Sequence, residues 1–288
     1  MPRAPRLVLL AVMLGALVAP LVSSPDKAQA SGSAGWIVRC PLSHSARNDP
    51  IVTPRRPGAS HLHDFLGNRS TNAYSTYRKM IAARTTCGTR KDKASYWAPA
   101  LYRKGHRISP AGSFAGRQTR QKIYFRKSNL APGTRISTMP ADLRLIAGNS
   151  KARSVAGNPK LGSAIYWGCS DNSTGKLKRP ANCSTGIVSL HIGFPNCWNG
   201  VKNRVNDTRN VVYPKNDRCP SAYPIALPRM IMRLEYPVGR SSSGITLASG
   251  PTYTIHGDFW NTWDQAALRE LTNRCLNRNV NCRTNPRP

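Results

Sequence analysis

Met230-Ile231-Met232-Arg233-Leu234-Glu235-Tyr236 alternates with a period of two. Met230, Met232, Leu234 and Tyr236 fall on one side of an extended chain; Ile231, Arg233 and Glu235 fall on the other. That period predicts a β-strand with one face turned to a core. Upstream, Ile187 to Ile192 repeats the pattern, with Val188, Leu190 and Ile192 opposed to Ile187, Ser189 and His191. Downstream, Gly250-Pro251 breaks the chain before Tyr253 to Asp258, where Thr254, His256 and Asp258 share a face. Ala164 to Cys169, Gln121 to Lys127 and Trp97 to Tyr102 read as further short strands, and Trp36 to Cys40 as an edge strand.

One helix stands out. Thr262-x-x-Gln265 has the form of a capping box, Asp264 suits the positive end of a helix, and Leu268, Leu271 and Cys275 recur at helical spacing. Pro140 to Ile146 reads as a short helix or turn, and Asp49 to Pro54, with two prolines, as a stiff extended loop. With 23 prolines and 22 glycines, short strands and long loops dominate. The expectation is a mainly β chain, sandwich or jelly-roll-like, forming a single domain over residues 31–288 with long disulfide-tied loops and a C-terminal helix.

Arg3 and Arg6, the apolar run Leu7 to Val22 and Ala28-Gln29-Ala30 form a secretory leader over residues 1–30. The run is short of the roughly 20 residues a membrane span needs, so no stable span is expected after cleavage. The whole chain carries a formal charge of +31. Removing Arg3, Arg6, Lys27 and Asp26 leaves 40 basic against 11 acidic residues, or +29. Negatively charged partners follow: anionic or cell-wall polysaccharide first, lipid surfaces or nucleic acid after it. No nucleic-acid motif accompanies the charge, so nucleic acid is disfavoured. All eight cysteines (Cys40, Cys87, Cys169, Cys183, Cys197, Cys219, Cys275 and Cys282) lie beyond the leader, which predicts up to four disulfides. Short separation favours Cys169–Cys183 and Cys275–Cys282.

The residues that carry chemistry concentrate in three stretches: His61-Leu62-His63-Asp64-Phe65-Leu66-Gly67-Asn68, His191 to Trp198, and His256-Gly257-Asp258-Phe259-Trp260-Asn261-Thr262-Trp263-Asp264. The expectation is that all three meet at one cleft. The first reads equally as strand or loop; as a strand it puts His61, His63 and Phe65 on one face and Asp64 on the other. His61-x-His63 and His256-x-Asp258 have the spacing that sets two ligands on one strand face, so one transition metal ion is a candidate cofactor, with His61 and His63 as ligands. Without a metal, His191 or His256 would be the acid–base group and Asp258 its orienting partner. Only two glutamates are present, Glu235 and Glu270, so Asp64 with Asp258 is the best carboxylate pair for a glycoside hydrolase. Trp97, Trp198, Trp260 and Asn68 are the candidate sugar contacts. The same residues also suit a purely structural role, in which buried polar groups tie loops together.

Asp49-Pro50-Ile51-Val52, His61 to Asn68, Trp97-x-Pro99, His191-x-x-Phe194-Pro195-Asn196-Cys197-Trp198 and Tyr253-x-x-His256-Gly257-Asp258-Phe259 occur in this order. Together, from about Ile37 to about Cys275, they resemble the family catalogued as domain of unknown function nineteen ninety-six. That family is found in secreted proteins of actinobacteria and fungi, often beside WSC or carbohydrate-binding domains. The resemblance implies an extracellular role near polysaccharide or cell wall, but no reaction. The family pattern Cys-Trp-Asp-Gly appears here as Cys197-Trp198-Asn199-Gly200, so position 199 supplies no acid. Two functions stay open: a carbohydrate-active enzyme, lyase or hydrolase, on an anionic or cell-wall polysaccharide, and a non-catalytic protein that binds such a polymer.

Overall fold

The computed structural model describes Met1 and residues 34–127, 129–201 and 209–286. The expected leader, Met1 apart, lies outside the described residues. The elements that position the site are strands β1 (Gly35–Arg39), β2 (Leu42–Ala46), β3 (His63–Gly67), β4 (Ser95–Pro99), β5 (Lys122–Arg126), β6 (Arg144–Gly148), β7 (Ile165–Cys169), β8 (Val188–Gly193), β9 (Arg229–Tyr236), β10 (His256–Trp260) and β11 (Asn281–Thr284). Helices α1 (Tyr77–Ala82) and α2 (Gln265–Leu271) flank them.

Six strands form one sheet in the order β7-β8-β9-β5-β1-β11; five form a second in the order β6-β10-β4-β3-β2. Every pairing in both is antiparallel except β1 with β11. The sheets pack face to face. Met230, Met232, Leu234 and Tyr236 of β9 and Val188, Leu190 and Ile192 of β8 are fully buried, together with Leu66, Tyr96, Ala98 and Phe259 of the other sheet. The approach is close at Gly257, where an added Cβ would come within 2.8 Å of Met232 Cε and 2.9 Å of Ile192 Cδ1. The fold is therefore mainly β, as the alternating stretches predict.

A second, smaller core lies on the opposite face of the five-stranded sheet. Phe65, Trp97 and Trp260 rise from the sheet and are sealed by Ile51 and by Met80 of α1. Full burial of a large apolar side chain is worth about 1.5–3 kcal/mol. These five residues thus supply an upper estimate of roughly 7–15 kcal/mol, enough to hold a cover over that face.

Four disulfides are present: Cys40–Cys87, Cys169–Cys183, Cys197–Cys219 and Cys275–Cys282. They fit an oxidising compartment. Among the described residues no helix is long and apolar enough to cross a membrane.

Several local expectations are corrected. Pro140 to Ile146, read as a short helix or turn, is a turn only at 141–142; Arg144–Gly148 is a strand because it pairs along its length with β10. The cap of α2 is Asp264, which accepts from the Ala267 N–H at 3.0 Å, while the Thr262 hydroxyl donates to Lys93 O. The strand at 35–39 is not at an edge, since β11 adds beyond it. Asp49–Pro54 is a tight turn, not an extended loop: the Asp49 carboxylate accepts from Ile51 N and Val52 N, and Asp49 O from Thr53 N.

Candidate functional site

Gly257 and Phe259 face the six-stranded sheet, so β10 turns His256, Asp258 and Trp260 the other way. Asp258 stands opposite Trp97, and Trp97 opposite Phe65. His63, two residues before Phe65, shares this outward face. Residues 47–62 cross over it and bring Asp49 and His61 down onto the strands.

Three imidazoles converge here. His61 Nε2 lies 3.0 Å from His256 Nε2, and His63 Nε2 lies 3.4 Å from the same atom. Two of the rings are fixed from behind. His63 Nδ1 is 3.0 Å from Asn48 O, and His256 Nδ1 is 2.9 Å from Thr254 O. A carbonyl oxygen only accepts, so both Nδ1 atoms carry the proton. In the neutral rings both Nε2 atoms then carry lone pairs, and no hydrogen bond can join them. His61 alone has a choice: its Nε2–H can donate to His256, or its own Nε2 lone pair can join the other two. Burial holds the three rings neutral. It lowers His61 to about 4 and His256 to about 3, and takes His63 well below the ordinary value.

Two acids complete the cluster. Asp258 is 1% exposed, and neither carboxylate oxygen has a hydrogen-bond partner among the described residues. Burial raises its pKa well above the carboxylate range, and the nearby Asp49 raises it further. Asp49 is also raised by burial, against the two backbone N–H groups it accepts. The Trp97 indole N–H leans toward Asp49 without closing a full hydrogen bond. Donor atoms of His61, His63 and His256 lie within 4.8 Å of one another, and so do those of Asp49, His63 and Asp258, with His63 common to both sets.

This donor set fits a metal ion. Metal–nitrogen bonds of about 2.0–2.1 Å give a tetrahedral edge of about 3.3 Å, and the two measured separations are 3.0 and 3.4 Å. Imidazole with a nearby carboxylate suits zinc, copper, iron or manganese. Backbone carbonyls behind two of the rings are the usual outer support of a ligating histidine. His61 is only half-buried, so the trio opens to solvent on its side.

Other expected site residues lie elsewhere. His191 does not join the trio. Its neighbours Leu190 and Ile192 face the core, so it points from the far face of the six-stranded sheet, stacked 4.3 Å from Tyr166 and hydrogen-bonded to Ser189. Burial and then the Arg233 charge lower it to about 3. Asp64 does not pair with Asp258: strand alternation turns it to the opposite side of β3, where it accepts from Ser45 and is ion-paired with Arg107. Trp97 and Trp260 are sealed in the second core and offer no face to a sugar; Arg144 lies 3.9 Å over the Trp260 ring, and Trp260 Nε1 donates to Asp142. Asn68 is buried and bridges Met80 O and Lys93 O. Trp198, partly exposed on a small separate sheet, packs against the main core. Asp49 is the site residue that residue-type reasoning passed over. Asn48-Asp49-Pro50 carries a turn signal that could have shown it.

A protein-family model described as Domain of unknown function (DUF1996) matches residues 49–263, which contain every member of the cluster. No curated protein and no solved structure matches the chain.

Proposed function

The chain belongs to the DUF1996 family, and we propose that it is a secreted enzyme acting on an anionic or cell-wall polysaccharide, with one transition metal ion held by His61, His63 and His256. The observation that carries this is the convergence of three Nε2 atoms at metal-ligand spacing, two of them fixed as lone-pair donors by backbone carbonyls. Bound there, the ion would supply Lewis acidity toward a sugar oxygen or a water.

The chain's own groups do the rest. The Asn48 and Thr254 carbonyls keep the His63 and His256 rings in one tautomer. Asp258, unpartnered and close to His63, is placed to complete the ligand set or to hold a proton beside it. The half-buried flank at His61 is the side from which a polymer would approach. Secretion is supported by the leader-like N-terminus and the four disulfides.

The burial of His63 and His256 favours a second reading, a closed structural ion. Elemental analysis of protein purified without chelator, followed by a screen for soluble product from polysaccharides, separates the readings. About one ion per chain with product that disappears in His61→Ala supports the enzyme. An ion whose loss lowers only stability supports the structural site. No ion in any preparation, and none taken up on titration with zinc, copper or manganese, overturns both.

A further inference from the structure

We propose that the outer face of the six-stranded sheet is a binding cleft for a carboxylated polysaccharide, whose uronate groups pair with Lys122 and Arg39 while a sugar ring lies beside Tyr166 and His191. This rests on the proposed function only in taking the ligand to be a polysaccharide; it makes no use of the histidine trio.

Register places Tyr166, His191, Arg233, Lys122 and Arg39 directly opposite one another on five neighbouring strands. They share the outward face because Trp167, Ile192, Met232, Ile123 and Val38, one position along each strand, are all in the core. Strands lie about 4.7–4.9 Å apart, so the row crosses the sheet for about 19 Å. The row is deepest at His191 and Arg233, which are buried; Tyr166 and Lys122 on either side are half-buried, and Arg39 at one end is exposed.

The row is crowded with positive charge and short of negative charge. Glu235 is already held, by Arg233 at 3.0 Å and by the Arg120 backbone N–H at 2.8 Å. Arg233 is buried and its Nη2 also donates to Ser170 O, so the charge open to a ligand is that of Lys122 and Arg39. Burial and then the charge of Arg233 hold Lys122 below its ordinary value, with Arg120 and Arg39 adding to the effect.

Two pockets open on this face. One of about 440 Å³ lies between the hairpin residues Gly116–Gln118 and Ser170–Asp171, with Lys122 and Glu235 in its lining. The other, of about 280 Å³, includes Lys160, Lys176, Tyr213 and Arg229. Each contains one aspartate, Asp171 and Asp217. A polymer with a carboxylate on successive units can meet a row of cations that a small anion cannot span. Arginine forks match carboxylates with two parallel bonds. The edges of the stacked Tyr166–His191 pair offer a hydroxyl and a ring nitrogen to sugar hydroxyls.

The test is isothermal titration of the full secreted chain with polygalacturonate at physiological ionic strength. Arg39→Ala/Lys122→Ala should weaken binding at least about tenfold, as two lost charge-assisted contacts require. Arg69→Ala/Arg84→Ala removes the same charge from another basic pocket and should stay within about twofold. Equal losses in the two double variants would reduce the binding to bulk charge and overturn the cleft. Linear polyphosphate bound as tightly as polygalacturonate would overturn the carboxylate assignment. Chelator treatment of the parent should leave its polygalacturonate affinity unchanged; affinity lost with the metal would overturn the placement. The metal reading can thus fail without touching this result.

Discussion

The two outer faces of this sandwich solve the burial of charged groups in opposite ways. On the five-stranded sheet, lone pairs gather with few donors: the Nε2 atoms of His63 and His256 and both oxygens of Asp258. On the six-stranded sheet, donors gather beyond the acceptors available: Arg233 and Glu235 satisfy each other, and the surplus is positive. A buried acceptor without a donor costs on the order of 1–3 kcal/mol, so the first face is costly by itself and a cation bound there would relieve it. The second is internally paired and presents only its excess charge. Similar residue types, histidine beside carboxylate, therefore suit different ligands according to whether the fold has already partnered them.

The sharpest way to break this contrast is to remove one imidazole from each face. His63→Ala should take bound metal from about one ion per chain to none, and any metal-dependent activity with it. Where free ion stands about 1,000-fold above Kd, the parent gains about 4 kcal/mol, on the order of 10 °C in Tm for a chain of this size. His63→Ala should show no such shift. His191→Ala should keep the ion and the full shift. Melting curves with and without chelator decide, and equal metal loss in both variants would dissolve the distinction.

Next in size is the internal pair. Arg233→Met leaves Glu235 buried with one partner fewer, and breaking a buried pair from one side costs about 3–5 kcal/mol. Removing both charges as Arg233→Met/Glu235→Gln should recover a large part of that loss. Urea unfolding of the three proteins measures it. If the single variant costs no more than the double, Arg233 is not held by Glu235 and its charge is already free for a ligand.

Asp258→Asn should be smaller again. It keeps the side-chain volume but removes the carboxyl group that could ionise beside His63 on a bound metal. Loss of a group that ligates or supports a metal typically costs about 10–100-fold in affinity, and zinc titration against a competing chelator reads it directly. No change would confine the site to the three imidazoles.

How much of this was legible beforehand follows from what strand alternation can and cannot carry. The period of two at 230–236 and 187–192 gave the strands and, correctly, which residues face the core. Read as a strand, with a loop equally open, 61–66 also put His63 and Asp64 on opposite faces. What alternation could not carry was which sheet each strand joins. His191 and His256 both stand on outward faces, but of different sheets, so three histidine-rich stretches became two sites. Aromatic density misled for a related reason: the second core that buries Trp97 and Trp260 is closed by Ile51 and Met80, which come from a loop and a short helix without periodic signal. Asp49 joins Asp258 through the same loop.

The finest test asks whether burial alone, or burial without a partner, marks Asp258. Asp92 is the control. It is fully buried too, but accepts from Ala94 N–H and the Tyr96 hydroxyl. Burial raises it to about 8, with those hydrogen bonds pulling the other way. Its folded pKa is above the unfolded value near 4, so the folded state keeps the proton longer. Its contribution is therefore complete below pH 4 and is lost as pH rises toward 8, by at most about 1.4 kcal/mol per pH unit. Asp92→Asn cannot ionise and keeps an oxygen for Ala94 and Tyr96. It should match the parent near pH 4 and unfold at an increasingly higher temperature as pH rises toward 8, with metal content unchanged throughout. If Asp92→Asn lowered metal content, burial as such would control the ion; a stability gain confined to high pH would leave the unpartnered oxygens of Asp258 as the property that sets the metal face apart.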